Sequence, residues 1–228
     1  MERHECKVIA RMESDFAEKF GIPRQSGLVA ALRGRVVFEP EYRNAEALRG
    51  IEGFSHLWLI WQFSAAVRED WSPTVRPPRL GGNVRMGVFA TRSPFRPNPL
   101  GLSCVRLESV EYDTPRGPVL LVSGADLMDG TPIYDIKPYV PYADARPEAR
   151  GGFAAAPAET IEVSCPPALL ARVPEDKRAA LLGVLAQDPR PRYQDDPARE
   201  YGMAFGGQNV RFRVANGVLT VTDVREKD

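Results

Sequence analysis

The stretch Phe89-Ala-Thr-Arg-Ser-Pro-Phe-Arg-Pro-Asn-Pro-Leu-Gly-Leu-Ser-Cys-Val-Arg-Leu107 holds a stiff loop and the start of a strand. Pro94, Pro97 and Pro99 lock their own φ near about −65° and push Ser93, Arg96 and Asn98 toward extended conformations, so the loop loses little entropy on ordering. Beyond it, Gly101 to Tyr112 reads as a strand, and Val84 to Ala90 reads as another before it. The loop between them presents Arg92 and Arg96, each a planar fork of donors suited to carboxylate or phosphate. A proline-stiffened connection with solvated arginines would read the same way.

Outward from this pair the pattern repeats. Lys7 to Met12 is an opening strand, Leu28 to Leu32 and Val36 to Phe38 are two strands around Arg33-Gly-Arg35, and Val119 to Ser123 is a further one. Phe54 to Phe63, dense in aromatics, reads as a central strand with His56 at its start. Asn44 caps one or two helical turns over Ala45 to Leu48. Trp71 to Gly82, with Pro73, Pro77 and Pro78, is a long loop carrying Arg76 and Arg79. Short strands separated by Gly/Pro turns indicate an all-β barrel or sandwich over residues 1–142. The composition then changes. Residues 143–157 read as a linker rich in Ala, Pro, Gly and Arg, and 158–228 as a small α+β domain. That domain has a helix over Pro174 to Gln187, a stop at Asp188-Pro-Arg-Pro-Arg-Tyr193, and strands from Gly202 to Val224 turning at Asn216-Gly217. The fold class is mainly β.

The formal net charge of zero argues against nucleic-acid binding through overall basicity, but the charge is segregated. Between Trp71 and Leu107 the only charged residues are Arg76, Arg79, Arg85, Arg92, Arg96 and Arg106; from Glu108 to Asp144 seven acids face only Arg116 and Lys137. A phosphate-facing surface beside a site that handles protons or cations is the reading. Cys6, Cys104 and Cys165 lack disulfide or metal-ligand spacing, and with two histidines in the chain no metal is expected. The longest apolar run, Leu57 to Trp61, is too short for a bilayer, so a cytoplasmic protein without a membrane partner is expected.

Two further stretches carry candidate chemistry. Arg24 and Gln25 are held between Pro23 and Gly27, as a ligand loop or an ordinary connection. Asp129-Gly130-Thr131-Pro132 is a tight turn able to aim a carboxylate, and Asp135, Lys137 and Tyr139 alternate, so that an extended chain puts them on one face. A solvated strand face with a Lys–Asp pair would look alike. No glycine-rich turn follows a strand and opens a helix, which disfavours a Rossmann nucleotide-binding fold.

Taken together, Pro23-Arg24-Gln25, Phe54-Ser-His-Leu-Trp58, Gly87-Val-Phe-Ala-Thr-Arg-Ser93, Arg96-Pro-Asn-Pro-Leu-Gly101, Asp129-Gly-Thr-Pro132 and Asp135-Ile-Lys-Pro-Tyr139 closely resemble the TrmO family, also called TsaA-like. Asp188-Pro-Arg-Pro191, Tyr201 and Asn209-Val-Arg211 resemble the smaller C-terminal domain of bacterial members. The resemblance implies a β-barrel methyltransferase that uses S-adenosylmethionine to methylate N6 of N6-threonylcarbamoyladenosine at position 37 of tRNA, beside the anticodon. A homodimer with the cofactor near the subunit interface is also implied. By similarity the cofactor pocket is lined by Pro23, Arg24, Gln25, Phe63, Ser64, Arg92, Leu102, Asp126, Leu127, Met128 and Asp129; Ser64 stands where some relatives are expected to carry histidine.

The acceptor nitrogen of such a substrate is ureido-like and a poor nucleophile while it keeps its proton. Asp129, Asp135 or Tyr139 is a candidate base, with Lys137 or Arg96 suited to the threonyl carboxylate. Arg76, Arg79 and Arg85 would contact phosphates, and Phe95 and Tyr142 would offer faces to splayed bases. A non-catalytic barrel that binds S-adenosylmethionine or RNA is the main rival. A hydrolase using Asp129 and Asp135 is the weaker one, since no activated nucleophile accompanies those acids.

Overall fold

A computed structural model of the chain describes residues 4–190 and 196–227. Strands β1 (Ala10–Ser14), β2 (Arg33–Phe38), β3 (His56–Gln62), β4 (Thr74–Val75), β5 (Met86–Gly87), β6 (Leu100–Glu111), β7 (Val119–Ser123) and β8 (Pro132–Pro138) occupy the first part of the chain. Six of them close an antiparallel barrel in the order β1-β2-β7-β6-β3-β8, and β4 and β5 form a separate ribbon. Next come α1 (Pro141–Asp144), β9 (Glu162–Ser164), α2 (Pro167–Leu170), α3 (Glu175–Ala186), β10 (Tyr201–Phe205), β11 (Gln208–Ala215) and β12 (Val218–Glu226). The last three strands and β9 make a second sheet, ordered β10-β11-β12-β9.

Alternation builds the barrel. Along β3, Leu57, Leu59 and Trp61 point into the core while His56, Trp58, Ile60 and Gln62 point outward. This strand, flanked by β6 and β8 as a central strand, buries one face in the barrel core. In β6 the inward positions include Gly101, Ser103 and Val105, small residues opposite a large one: a Cβ added at Gly101 would overlap the Trp61 ring. Gly101→Ala is thus expected to cost about 1–3 kcal/mol by overpacking, whereas Gly53→Ala, with nothing within 4 Å of its added Cβ, should change little. Thermal denaturation of the two variants checks this.

Three strand expectations need correction. The opening strand is Ala10–Ser14, later than Lys7 to Met12, because its register against β2 and β8 begins at Ala10. Leu28 to Leu32 is not a strand; Val29 and Leu32 are apolar because they pack into the second core. Of Val84 to Ala90 only Met86–Gly87 is extended, followed by a 3-10 turn at Val88–Ala90 in which Val88 is buried and its N–H bonds to the Pro73 carbonyl at 2.9 Å. Other expectations match the structure. Asn44 Oδ1 accepts the Glu46 N–H at 3.0 Å above the 3-10 turn Ala45–Leu48, and Asn216 (φ 51°) and Gly217 (φ 78°) turn the chain between β11 and β12. Pro191 and Tyr193 lie outside the described residues.

The second core draws on both halves of the chain. Leu181, Val184 and Leu185 of α3 and Met203, Phe205 and Phe212 of the sheet enclose Phe16, Val29 and Leu32 from the segment between β1 and β2. No described helix is long and apolar enough to cross a membrane.

Candidate functional site

Strand β6 outruns its neighbour β7: Arg106 pairs with Ser123 at the last position of β7, and Leu100 to Val105 have only β3 beside them. The segments after β1 and after β7 close this gap. Gly27 N–H bonds to the Gly124 carbonyl at 2.8 Å, Gly124 N–H to the Leu32 carbonyl at 2.9 Å, and the Cys104 N–H, otherwise an orphan of the ladder, to Ser26 Oγ at 3.1 Å. The connection from β6 back to β3 leaves the same end of the barrel. Three loops, 15–32, 63–99 and 124–131, therefore converge there.

Polar side chains meet along the seam. Trp61 Nε1 donates to Ser103 Oγ at 2.9 Å, and Ser103, fully buried, donates to Asp126 Oδ1 at 2.5 Å. Arg92 donates through Nη1 to Gln25 Oε1, whose Nε2 donates to the Arg24 carbonyl. Burial pushes the Asp126 carboxyl above its usual range, against the opposing effects of Ser103, its own and the Ser26 backbone amides, and the Arg92 charge. The folded state consequently holds an Asp126 proton more tightly than the unfolded chain. Its contribution to stability is complete below the ordinary value of 3.8 and is lost as pH rises through the folded value. Asp126→Asn cannot ionise, so the melting temperature of the variant relative to the parent should rise from acid to neutral pH; paired thermal melts across that range measure it.

The candidate cofactor residues fall mostly at this end. Pro23 is buried under the loop, Phe63 stacks edge-on with Trp61 at 4.3 Å, and Ser64 opens the next 3-10 turn. Leu102 stands on the outer face of β6, 52% exposed, beside Leu100 at 42%. Leu127 is a fully buried barrel-core residue, and Met128 leads into the turn before β8. Asp129 lies further round the end, where its Oδ1 accepts the Ser14 N–H at 3.0 Å. It also lines an open concavity of about 360 Å³ with Asp15, Lys177, Gly206 and Gly207, apart from the Arg92–Asp126 seam.

The three candidate bases are not brought together within one chain. Asp135 sits on the outer barrel face in the row Leu102–Ile60–Asp135, with Oδ1 accepting the Ile136 N–H at 2.9 Å and Oδ2 paired with Lys137 Nζ at 2.8 Å. Tyr139 lies past the far end of β8, its ring against His56 at 6.2 Å and Trp58 at 5.9 Å. Asp135, Lys137 and Tyr139 follow one edge of the barrel as their alternation suggests, whereas Asp129 belongs to the opposite end.

Among the described residues none of Arg76, Arg79, Arg85, Arg92 and Arg96 pairs with a carboxylate, while Arg33, Arg35, Arg106 and Arg116 all do. Arg79 donates to the Ala156 carbonyl, Arg85 Nη1 to Thr74 Oγ1 at 3.2 Å, and Arg96 Nη1 to the Thr91 carbonyl at 3.2 Å, which makes Arg96 partly a scaffold of its own loop. The Phe95 face is covered by the Arg68 guanidinium at 3.8 Å, and Tyr142 is 89% exposed. No group of three or more His, Cys, Asp or Glu among the described residues is placed to hold a metal ion. Sequence reasoning missed Ser103, Ser26 and Trp61. The signal for Ser103 was present: a serine on the inward parity of a strand, between Gly101 and Val105, needs a buried partner.

Fold and site define a barrel protein whose loops at one end gather an amide, a guanidinium and a partly buried carboxylate, with no doubly wound nucleotide-binding sheet among the described residues. Profiles for the tRNA-methyltransferase O N-terminal domain and the TrmO C-terminal domain match residues 11–145 and 158–227. This chain belongs to the TrmO family. It is 43% identical to a "tRNA (adenine(37)-N6)-methyltransferase" of Escherichia coli K12, with 97% of each chain covered. It is equally identical to a "Putative S-adenosylmethionine-dependent methyltransferase RcsF" of Pseudomonas aeruginosa, with 99% of each covered. A crystal structure of TrmO from P. aeruginosa superposes with a TM-score of 0.81 at 38% identity, covering 100% of this chain and 99% of that one.

Proposed function

We propose that this chain is a tRNA methyltransferase that uses S-adenosylmethionine to methylate N6 of N6-threonylcarbamoyladenosine at position 37. The observation that carries the reading is the seam where Gln25, Arg92 and Asp126 meet, in a chain with a full-length relative named tRNA (adenine(37)-N6)-methyltransferase. The donor set suits the cofactor. Guanidinium groups of Arg24 and Arg92 match an amino-acid carboxylate, the Asp126 carboxylate matches an ammonium or hydroxyl donor, and Phe63 and Leu102 offer apolar surface for a purine. When bound, S-adenosylmethionine supplies an electrophilic methyl group.

The protein's own part is positioning and proton transfer. Arg76, Arg79 and Arg85 hold RNA phosphates, and Lys137 or Arg96 takes the threonyl carboxylate. Asp135 accepts the proton of the acceptor nitrogen as the new N–C bond forms; its place in the outward row with Leu102 supports it over Asp129 and Tyr139. Exposed Leu100 and Leu102 beside the seam support a homodimer whose second copy covers this face. Residues 1–142 and 158–228 act as two domains joined through 143–157. The test is label transfer: purified protein with methyl-labelled cofactor and bulk tRNA should deposit label in the RNA, and cofactor binding without transfer would mark a binding barrel instead.

A further inference from the structure

Residues 16–32 carry Pro23, Arg24, Gln25 and Ser26 to the seam, and both arms of this loop are rooted in the core of the C-terminal sheet. On the incoming arm the Phe16 ring meets Phe205 edge-on at 5.5 Å and the Phe20 ring stacks with Phe212 at 6.4 Å. Gly21, at φ 96°, lies so close to Met203 that a Cβ there would overlap the sulfur. On the outgoing arm Val29 packs on α3, where a Cβ added to Gly183 would come within 2.7 Å of Val29 Cγ1. Between the arms, the turn meets the barrel side through Ser26 with Cys104, Gly27 with the Gly124 carbonyl and Gln25 with Arg92.

We infer that the C-terminal unit is a positioning element for the cofactor site: Met203 and Gly183 set the turn 23–26 against β6, and so set the affinity for S-adenosylmethionine independently of any contact of that unit with RNA. The inference rests on the reading of the Gln25–Arg92–Asp126 seam as the cofactor site. A loop held at both ends in a close-packed core enters binding already ordered, and a cavity or a bulge at its root either frees it or shifts it. Neither Met203 nor Gly183 touches the seam, so their effect passes through the loop.

The experiment is calorimetric titration of the full chain with S-adenosylmethionine, without tRNA, at a temperature where every variant is folded by circular dichroism. Met203→Ala and Gly183→Ala should weaken binding about tenfold or more, and Met203→Leu should restore it. Leu219→Ala, a cavity in the same core on the β9 side of the sheet, should leave it unchanged. Arg92→Ala reports on the site itself. If Arg92→Ala binds like the parent, the site reading falls and takes this inference with it. If Arg92→Ala weakens binding while Met203→Ala and Gly183→Ala match Leu219→Ala, the positioning role alone is overturned. Should Met203→Ala not fold, Gly183→Ala decides by itself, because alanine is favoured inside a helix and adds one methyl group.

Discussion

Asp135→Asn is expected to lower the turnover of methyl transfer about 10²- to 10⁴-fold while leaving cofactor affinity unchanged. Asparagine preserves the shape of the side chain and can still accept the Ile136 N–H, but it cannot take a proton. The carboxylate is held by that amide and by Lys137, so its oxygens are fixed on the outer barrel face. Across the ladder from Asp135 come Ile60 and then Leu102, two strand spacings or about 10 Å away, which places the acid beside the seam without making it part of it. Asp129→Asn and Tyr139→Phe serve as comparisons and should lose less. Asp129 is engaged by Ser14 at the end of β1, and Tyr139 is packed on His56 and Trp58 at the far end of the barrel. Single-turnover rates at saturating cofactor and tRNA rank the three; full activity in Asp135→Asn with loss in Asp129→Asn would move the base to the turn.

Arg92→Ala should weaken S-adenosylmethionine binding about 10- to 100-fold, the size expected for one charge-assisted hydrogen bond and the order it imposes on its neighbours. Two effects combine. The variant frees Gln25, whose side-chain carbonyl Arg92 holds, and it removes a positive charge that lowers the Asp126 carboxyl toward ionisation. Arg92→Lys should recover little, because an ammonium cannot bridge Gln25 and a ligand with a planar fork. Calorimetric titration measures both variants, and affinity retained by Arg92→Ala would place the cofactor elsewhere on the barrel.

Much of the barrel was legible because its signals are local. The aromatic-dense run of β3, the β-rich run of β7 and the turn residues Asn216 and Gly217 each report on their own neighbourhood. Leu28 to Leu32 misled because an apolar run records burial, and its partner Gly183 lies far along the chain. The long extension of β6 past β7 could not be read from either strand alone, and that offset is what makes room for Ser26, Ser103 and Asp126.

The site residues show the same division. Arg92 and Gln25 were legible as types held in stiff loops, and the structure joins them by a hydrogen bond. Of the three alternative bases, Asp129 and Tyr139 lie at opposite ends of the barrel because strand β8 runs between them. Ser103 went unnoticed although its parity was visible, since a small hydroxyl in a strand carries little signal until its partner is known.

The most direct measurement offers the purified protein S-adenosylmethionine and two tRNA pools, one carrying threonylcarbamoyl-adenosine at position 37 and one lacking it, with nucleosides read by mass spectrometry. The expected result is the gain of one methyl group in the first pool and none in the second. No gain in either pool, with the cofactor bound, would contradict it and leave a barrel that binds S-adenosylmethionine without transferring its methyl to tRNA.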